Sequence, residues 1–425
     1  MPHVHAATVP APMRRAGSFA GLEIPRSDAR VRIFNVKYSP NLGDGLLAEC
    51  LEQALVEAGA ASDTCSVDLA GRSAFATGGS SRSMQLRVLD TLPATVRHNA
   101  VRLPLAIQSR RLWRPHYRKA LDGADCVVIG GGNLITDLDL NFPTKLALAV
   151  DEAARRDLPV FLYGCGVCSS WSQRGRSLLQ QALSRKVIRR VFVRDERSRE
   201  QWRQLVGPAC DLDATVVRDP GLLAAECYRV PLRCRNVQAP LIGINVTSQL
   251  ALRYHSEEPP SPLALDAWYL GLARTLVAKG CRISIFTNGS PEDRACALRL
   301  RPAFEAMGDR GTVRFPEPRT PADLTCVIAS LNAVAAFRMH AVIAAYSCGV
   351  PFLALAWDPK LESFVHSVSR ADWLCRPVRM SGEAAAEQLL DAMRHGLPEA
   401  QRRLTLFQAR GDIAVLQNEI ARAVS

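Results

Sequence analysis

The stretch from Ser330 to Lys360 limits the possible folds more than any other part of the chain. An apolar run ends at Arg338 and His340, a helix-compatible segment follows, and Gly349-Val350-Pro351 makes a turn. A second apolar run then stops at Asp358 and Lys360. Strand, polar tip, helix and strand form one βαβ unit, which requires a parallel sheet with the helix on its face. Ligands of such sheets bind where strands end and helices begin, and a helix start offers unpaired N–H groups to an anion. With Arg338, His340 and Lys360 at that rim, the unit reads as a site for something small and negatively charged.

The same alternation runs through the rest of the chain. Val31 to Val36 reads as a strand and leads into a loop with Pro40, Asn41, Gly43 and Gly45. Helical spacing follows from Leu46, and Gly59 ends it. Asp44 on this loop either caps the helix or faces a ligand. Asn41 and the glycines beside it suit close backbone approach. Asp125 to Asn133 is a strand ending in Gly130, Gly131, Gly132 and Asn133, without the spacing of a dinucleotide fingerprint. Strands at Leu158–Val167 and Val191–Val193 come next, the latter followed by Arg194, Asp195 and Ser198 at a helix start. A short strand then ends at Asp219 and Pro220, and the Arg- and Pro-bearing segment 227–240 joins this series to a second. The second series holds strands at Leu241–Val246 and Cys281–Ser290 and closes with the βαβ unit above. Glu383 to Val415 has helical period. The expected architecture is α/β, with two Rossmann-like domains facing each other across a cleft. The expected divisions are a disordered tail at 1–28, domains at 29–232 and 233–378, and helices at 379–425 that return to the first domain.

Composition narrows the function. The 425 residues carry a formal charge of +12, which suits anionic substrates or an anionic membrane surface. No nucleic-acid motif accompanies it. No run of about 18 apolar residues is present, and the first residues lack the apolar core of a signal peptide. A cytoplasmic protein is therefore expected, peripheral at most to the inner membrane face. Arg110 to Lys119, with Trp113 and Tyr117 among its basic residues, reads either as a solvated face or as a contact for a membrane surface. The thirteen cysteines look structural; Cys165 and Cys168 form a CxxC with no second pair to complete a zinc site.

Taken in order, these pieces resemble the polysaccharide pyruvyl transferase family. They are Asn41-x-Gly43-Asp44, the triple glycine, Arg194-Asp195-x-x-Ser198, Asp219-Pro220, Arg338-x-His340, Gly349-x-Pro351 and Asp358-x-Lys360. The resemblance runs from about residue 31 to 365 and implies a fold similar to the GT-B glycosyltransferases. It implies transfer of a pyruvyl group from phosphoenolpyruvate onto two hydroxyls of a sugar, in a polysaccharide or its lipid-linked precursor, to form a cyclic ketal without metal or cofactor. The first domain would then be the acceptor side and the second the donor side. His340 would move protons, Arg338 would grip an oxyanion with both prongs of its guanidinium, and Lys360 would steady departing phosphate. Asp44 would deprotonate or orient an acceptor hydroxyl. Asn41, Gly43, Gly131, Gly132, Asn133, Arg194 and Asp195 would line the substrates. If the segment stays extended, Arg338 and His340 point the same way. The rival readings are a nucleotide-sugar glycosyltransferase on the same fold and a non-catalytic carbohydrate-binding relative.

Overall fold

The computed structural model describes residue 22 and residues 26–75, 104–137, 139–206, 212–231, 238–253, 260–309 and 311–425. The expected tail at 1–28 and the join at 227–240 lie partly outside them.

Continuous apolar runs give strands buried on both faces, which is the signature of a parallel sheet. The first sheet contains β1 (Val31–Asn35), β2 (Cys65–Asp68), β3 (Cys126–Gly130), β4 (Val160–Cys165), β5 (Ile188–Val193) and β6 (Ala214–Val216). Their order is β2-β1-β3-β4-β5-β6, parallel throughout, with Ile33 opposite Val128 and Val128 opposite Phe161. The helices of this half are α1 (Leu42–Glu57), α2 (Arg114–Ala120), α3 (Asn141–Ala154), α4 (Gln173–Leu183) and α5 (Glu196–Leu205).

The second sheet contains β7 (Leu241–Asn245), β8 (Arg282–Phe286), β9 (Val313–Arg314), β10 (Ala333–Ala336), β11 (Phe352–Leu355) and β12 (Leu374–Cys375). Its order is β12-β11-β10-β7-β8-β9, again parallel. Around it run α6 (Pro262–Ala278), α7 (Pro291–Glu305), α8 (Pro321–Ala329), α9 (Met339–Ser347), α10 (Pro359–Ser367) and α11 (Gly382–His395). Ser261 and Thr320 cap α6 and α8, each with a proline at the first helical position.

In each sheet the winding direction reverses once, and the strand ends beside the reversal form the crevice. In the first sheet the reversal lies between β1 and β3, so the loops after residues 35 and 130 flank it. In the second it lies between β7 and β10, so the loops after residues 245 and 336 flank it.

The halves share one apolar core. Leu46 of α1, Leu223 and Ile343 of α9 belong to it, together with Leu416 of a long last helix, α12 (Glu399–Val424). The helical period read over Glu383–Val415 is thus two helices, parted at Gly396, where φ is 68°. The last one reaches back to the first half, where Asp412 pairs with Arg218 at 3.0 Å and Glu419 with Arg190 at 3.2 Å.

Candidate active site

One wall of the cleft is the start of α1. Asn41 caps it, its side chain accepting from the Gly43 N–H at 3.3 Å. This leaves Asp44 without capping duty. The Leu42 N–H donates to the Asn288 carbonyl of the other half at 2.7 Å, docking the helix start across the cleft. Gly43 lies flat against the His340 imidazole: a Cβ there would come within 2.8 Å of the His340 Cβ and 2.9 Å of Nδ1. Only glycine allows that approach. Asp44 is half-buried and accepts from the Ser39 side chain. Burial raises its carboxyl above the usual range, although His340, Arg72 and Arg338 pull the other way.

The opposite wall departs from the expected extended segment. β10 stops at Ala336, Arg338 is the residue before the helix, and His340 lies in the first turn of α9. The Trp357 indole donates to the Phe337 carbonyl at 2.6 Å, which takes up the first backbone acceptor past the strand. Met339 onward is then free to enter the helix that its residues favour. Strand alternation therefore does not govern how Arg338 and His340 point.

Arg338 also spends its fork differently from the expectation. Nε and Nη2 donate to Asp293 Oδ2 at 3.0 and 2.6 Å, and Nη2 also donates to Ser290 Oγ at 3.2 Å. The Asp293 side chain is fully buried, and its other oxygen accepts from the Ser248 N–H at 2.8 Å. Burial opposes the Arg338 charge, but Asp293 more than offsets this and the guanidinium pKa is raised. The two-pronged edge is thus committed to Asp293; Nη1 alone has no partner among the described residues. Asp293 lies 45 residues before Arg338 on α7, and its place near a helix start gave no sign of this pairing.

A second cluster gathers where β3, β4 and β5 end. Gly131 and Gly132 take φ of 84° and 72°, a region closed to ordinary side chains. They turn the chain so that the Gly132 carbonyl accepts from the Gly166 N–H at 2.8 Å. A register shift between Leu162 and Cys165, with Gly164 at φ 62°, brings Gly166 beneath the Arg194 guanidinium, and no Cβ fits between them. Arg194 donates from Nε to Asp195 Oδ2 at 3.3 Å, while its Nη2 is buried without a partner. The other Asp195 oxygen accepts from the Ser198 N–H at 2.6 Å and caps α5. Asn133 donates to the Cys168 sulfur at 3.2 Å, and its Oδ1 is buried and unpaired.

Lys360 enters from the other half, in the first turn of α10, with Nζ 3.3 Å from Asp358 Oδ2. Burial, then the neighbouring Arg194, lowers its ammonium pKa. Two cations, one from each half, thus lie within electrostatic reach of each other. Trp357 stands between the clusters, 5.9 Å from the Arg338 guanidinium and directly before Asp358, the cap of α10.

Three further readings meet the structure. Cys165 and Cys168 are separate free thiols; burial pushes Cys165 up to about 12, and Cys168 receives Asn133. Trp113 and Tyr117 are core residues, so the aromatic part of the 110–119 cluster faces inward. Arg114 and Arg118 from that cluster hold the buried Glu152, and only Arg110, Arg111 and Lys119 are left to an outward basic face with Leu112. Among the described residues, no helix is long and apolar enough to cross a membrane, and no group of three or more His, Cys, Asp or Glu is placed to hold a metal.

The fold is GT-B-like. A UDP-GlcNAc 2-epimerase from Neisseria meningitidis, solved with UDP-GlcNAc, is similar at a TM-score of 0.53 and 13% identity, over 92% of this chain and 99% of that one. A Listeria monocytogenes structure described as a UDP-N-acetylglucosamine 2-epimerase gives 0.51 and 12%, over 91% and 93%. No curated protein matches the chain. The profile of the polysaccharide pyruvyl transferases matches residues 41–359, from the cap of α1 to the start of α10, and so takes in both walls of the cleft. The chain belongs to the polysaccharide pyruvyl transferase family.

Proposed function

We propose that the protein takes its pyruvyl group from phosphoenolpyruvate and sets it as a cyclic ketal on two hydroxyls of a sugar, in a polysaccharide or its lipid-linked precursor. The observation that carries this reading is that Arg194 and Lys360, one from each half, come within electrostatic reach of each other. Arg194 keeps an unpaired buried Nη2, and Lys360 holds its proton less firmly because of burial and Arg194 beside it. An anion seated between them relieves both, and phosphoenolpyruvate supplies a phosphate and a carboxylate close together. Arg338 Nη1 offers one further donor at the other end of the site.

The reaction removes two protons from the acceptor and breaks the bond between the enol carbon C2 and the phosphate oxygen. The methylene carbon takes one proton and becomes a methyl group. One hydroxyl oxygen bonds to C2, phosphate leaves with its bridging oxygen, and the second hydroxyl closes the ketal. The other proton leaves with the phosphate. His340 in the first turn of α9 and Asp44 in the first turn of α1 are the groups for these transfers. A carboxyl raised by burial is suited to giving up a proton as well as taking one. Arg194 and Lys360 hold the phosphate as its charge grows.

The test is phosphate release from phosphoenolpyruvate against a panel of lipid-linked oligosaccharides, with the ketal identified in the product. Turnover of a nucleotide sugar, with none of phosphoenolpyruvate, would overturn the reading. Within it, His340→Gln lowers turnover by about 10²–10⁴-fold while phosphoenolpyruvate still binds. A stable variant at the wild-type rate removes His340 from the chemistry.

A further inference from the structure

Asp219 follows β6 and caps a single turn, Pro220–Leu223, that packs under α1 and α9. Its Oδ1 accepts from the Gly221 N–H at 2.8 Å, so the carboxylate cannot swing freely. Its Oδ2 is buried without a hydrogen-bond partner. The atom that faces it, 3.6 Å away, is His340 Nε2, which is also buried without a partner. The two side chains are only 7% and 9% exposed, so bulk water does not serve them. A buried polar atom left unpaired costs about 1–3 kcal/mol, and here two such atoms of complementary kind look at each other. Hydrogen bonds of this sort are often long in empty sites and tighten when substrate binds.

The other edge of the ring is set by Gly43. Nδ1 lies on that side, with neither a hydrogen bond among the described residues nor complete burial. Asp44 on α1 is the charged neighbour there, and Arg338 precedes His340 on its own helix.

We propose that Asp219 is the positioning residue for His340: it accepts from Nε2–H and so leaves Nδ1 as the nitrogen that meets the substrate. In that tautomer Nδ1 carries the lone pair. It takes the proton from an acceptor hydroxyl as the hydroxyl oxygen bonds to C2, and the resulting imidazolium is balanced by the Asp219 carboxylate. The same proton then leaves from Nδ1 to the departing phosphate, and Nε2 keeps its own throughout. The catalytic part rests on the pyruvyl-transfer reading above; the tautomer does not.

Asp219→Asn is the discriminating variant. Its oxygen still accepts from the Gly221 N–H, so the turn stays capped, but an amide N–H now faces Nε2 and drives the ring proton to Nδ1. Nitrogen-15 NMR of histidine-labelled protein reads the tautomer directly, and His340 is picked out of the eight histidines by the signal lost in His340→Gln. The expected results are Nε2–H in the wild type, Nδ1–H in Asp219→Asn, a fall in kcat of about 10²–10⁴-fold, and an unchanged KM for phosphoenolpyruvate. Nδ1–H in the wild type overturns the proposal, and so does an Asn variant at full kcat. The wild-type spectrum suffices should the variant not fold. If phosphoenolpyruvate is never consumed yet the tautomers swap, the donor assignment fails and the positioning role of Asp219 stands.

Discussion

Arg194 and Arg338 occupy matching places, each past the end of a strand and just ahead of a helix, one in each half of the molecule. Their surroundings differ. Arg338 spends two of its nitrogens on a fully buried carboxylate held from its far side by a backbone N–H. Arg194 is held through Nε alone, keeps a buried nitrogen without a partner, and its charge opposes that of Lys360. One arginine is chiefly a structural tie, and the other keeps a donor free for the anion proposed above. Equal residue type at equivalent positions does not mean equal duty; the partners decide.

The largest expected effect breaks this contrast outright. Arg338→Ala leaves Asp293 buried and unpaired, which costs about 3–5 kcal/mol of stability. Arg194→Ala leaves Asp195 held by the Ser198 N–H, so it costs less stability than Arg338→Ala, but it removes a charged hydrogen bond to the donor, worth about 1.5–3 kcal/mol of binding. Urea unfolding beside phosphoenolpyruvate titration separates the two. A stable Arg338→Ala that has lost the donor would reverse the assignment.

The next effect sharpens the Arg194 side. The Lys360 ammonium has a pKa below its usual 10.5 in the folded protein. Its contribution to stability is therefore full above about pH 10.5 and is lost as pH falls toward the folded value. Lys360→Met should accordingly be more stable than wild type at neutral pH, with the gap closing as pH rises toward 10.5. Inorganic phosphate should raise the wild-type Tm, by about 2.7 kcal/mol of stability at a hundred times its Kd, and should leave the Met variant unmoved. An equal phosphate effect in both proteins would place the anion elsewhere.

The smallest effect concerns cations outside the cleft. Arg110, Arg111 and Lys119 face outward with Leu112. On an anionic membrane each basic residue adds about 1 kcal/mol. Alanine at all three should abolish sedimentation with anionic vesicles at low salt and leave turnover of a water-soluble acceptor intact. Equal binding to neutral and anionic vesicles would mark this face as merely solvated.

Strands were readable because runs such as Cys126–Gly130 and Phe352–Leu355 are apolar without interruption, as buried parallel strands tend to be. Helix starts were readable where Ser261 or Thr320 stands before proline. The rim residues could be named from the motifs, but their partnerships could not. The bond of Arg338 to Asp293 spans 45 residues, and no local pattern announces it. The helix at His340 begins three residues beyond the strand, too soon for apolar spacing to mark the change. Trp113 and Tyr117 misled for the opposite reason. Basic neighbours made them look like surface, yet they are packed in the core while Arg114 and Arg118 reach over to Glu152.

Helix α12 has a mechanical consequence. Its 26 residues span about 39 Å at 1.5 Å each. Near its start Arg402 donates to the Ser347 carbonyl of the second half at 2.7 Å. Farther along, Arg410 holds Glu226, Asp412 holds Arg218, and Gln417 reaches Ser27 at 2.8 Å. A rod pinned at several points along its length to both halves acts as a brace across the hinge. Wide opening would require breaking several of these pins at once. So braced, the cleft is expected to act as a slot rather than a jaw, closing on a bound molecule through the side chains that line it.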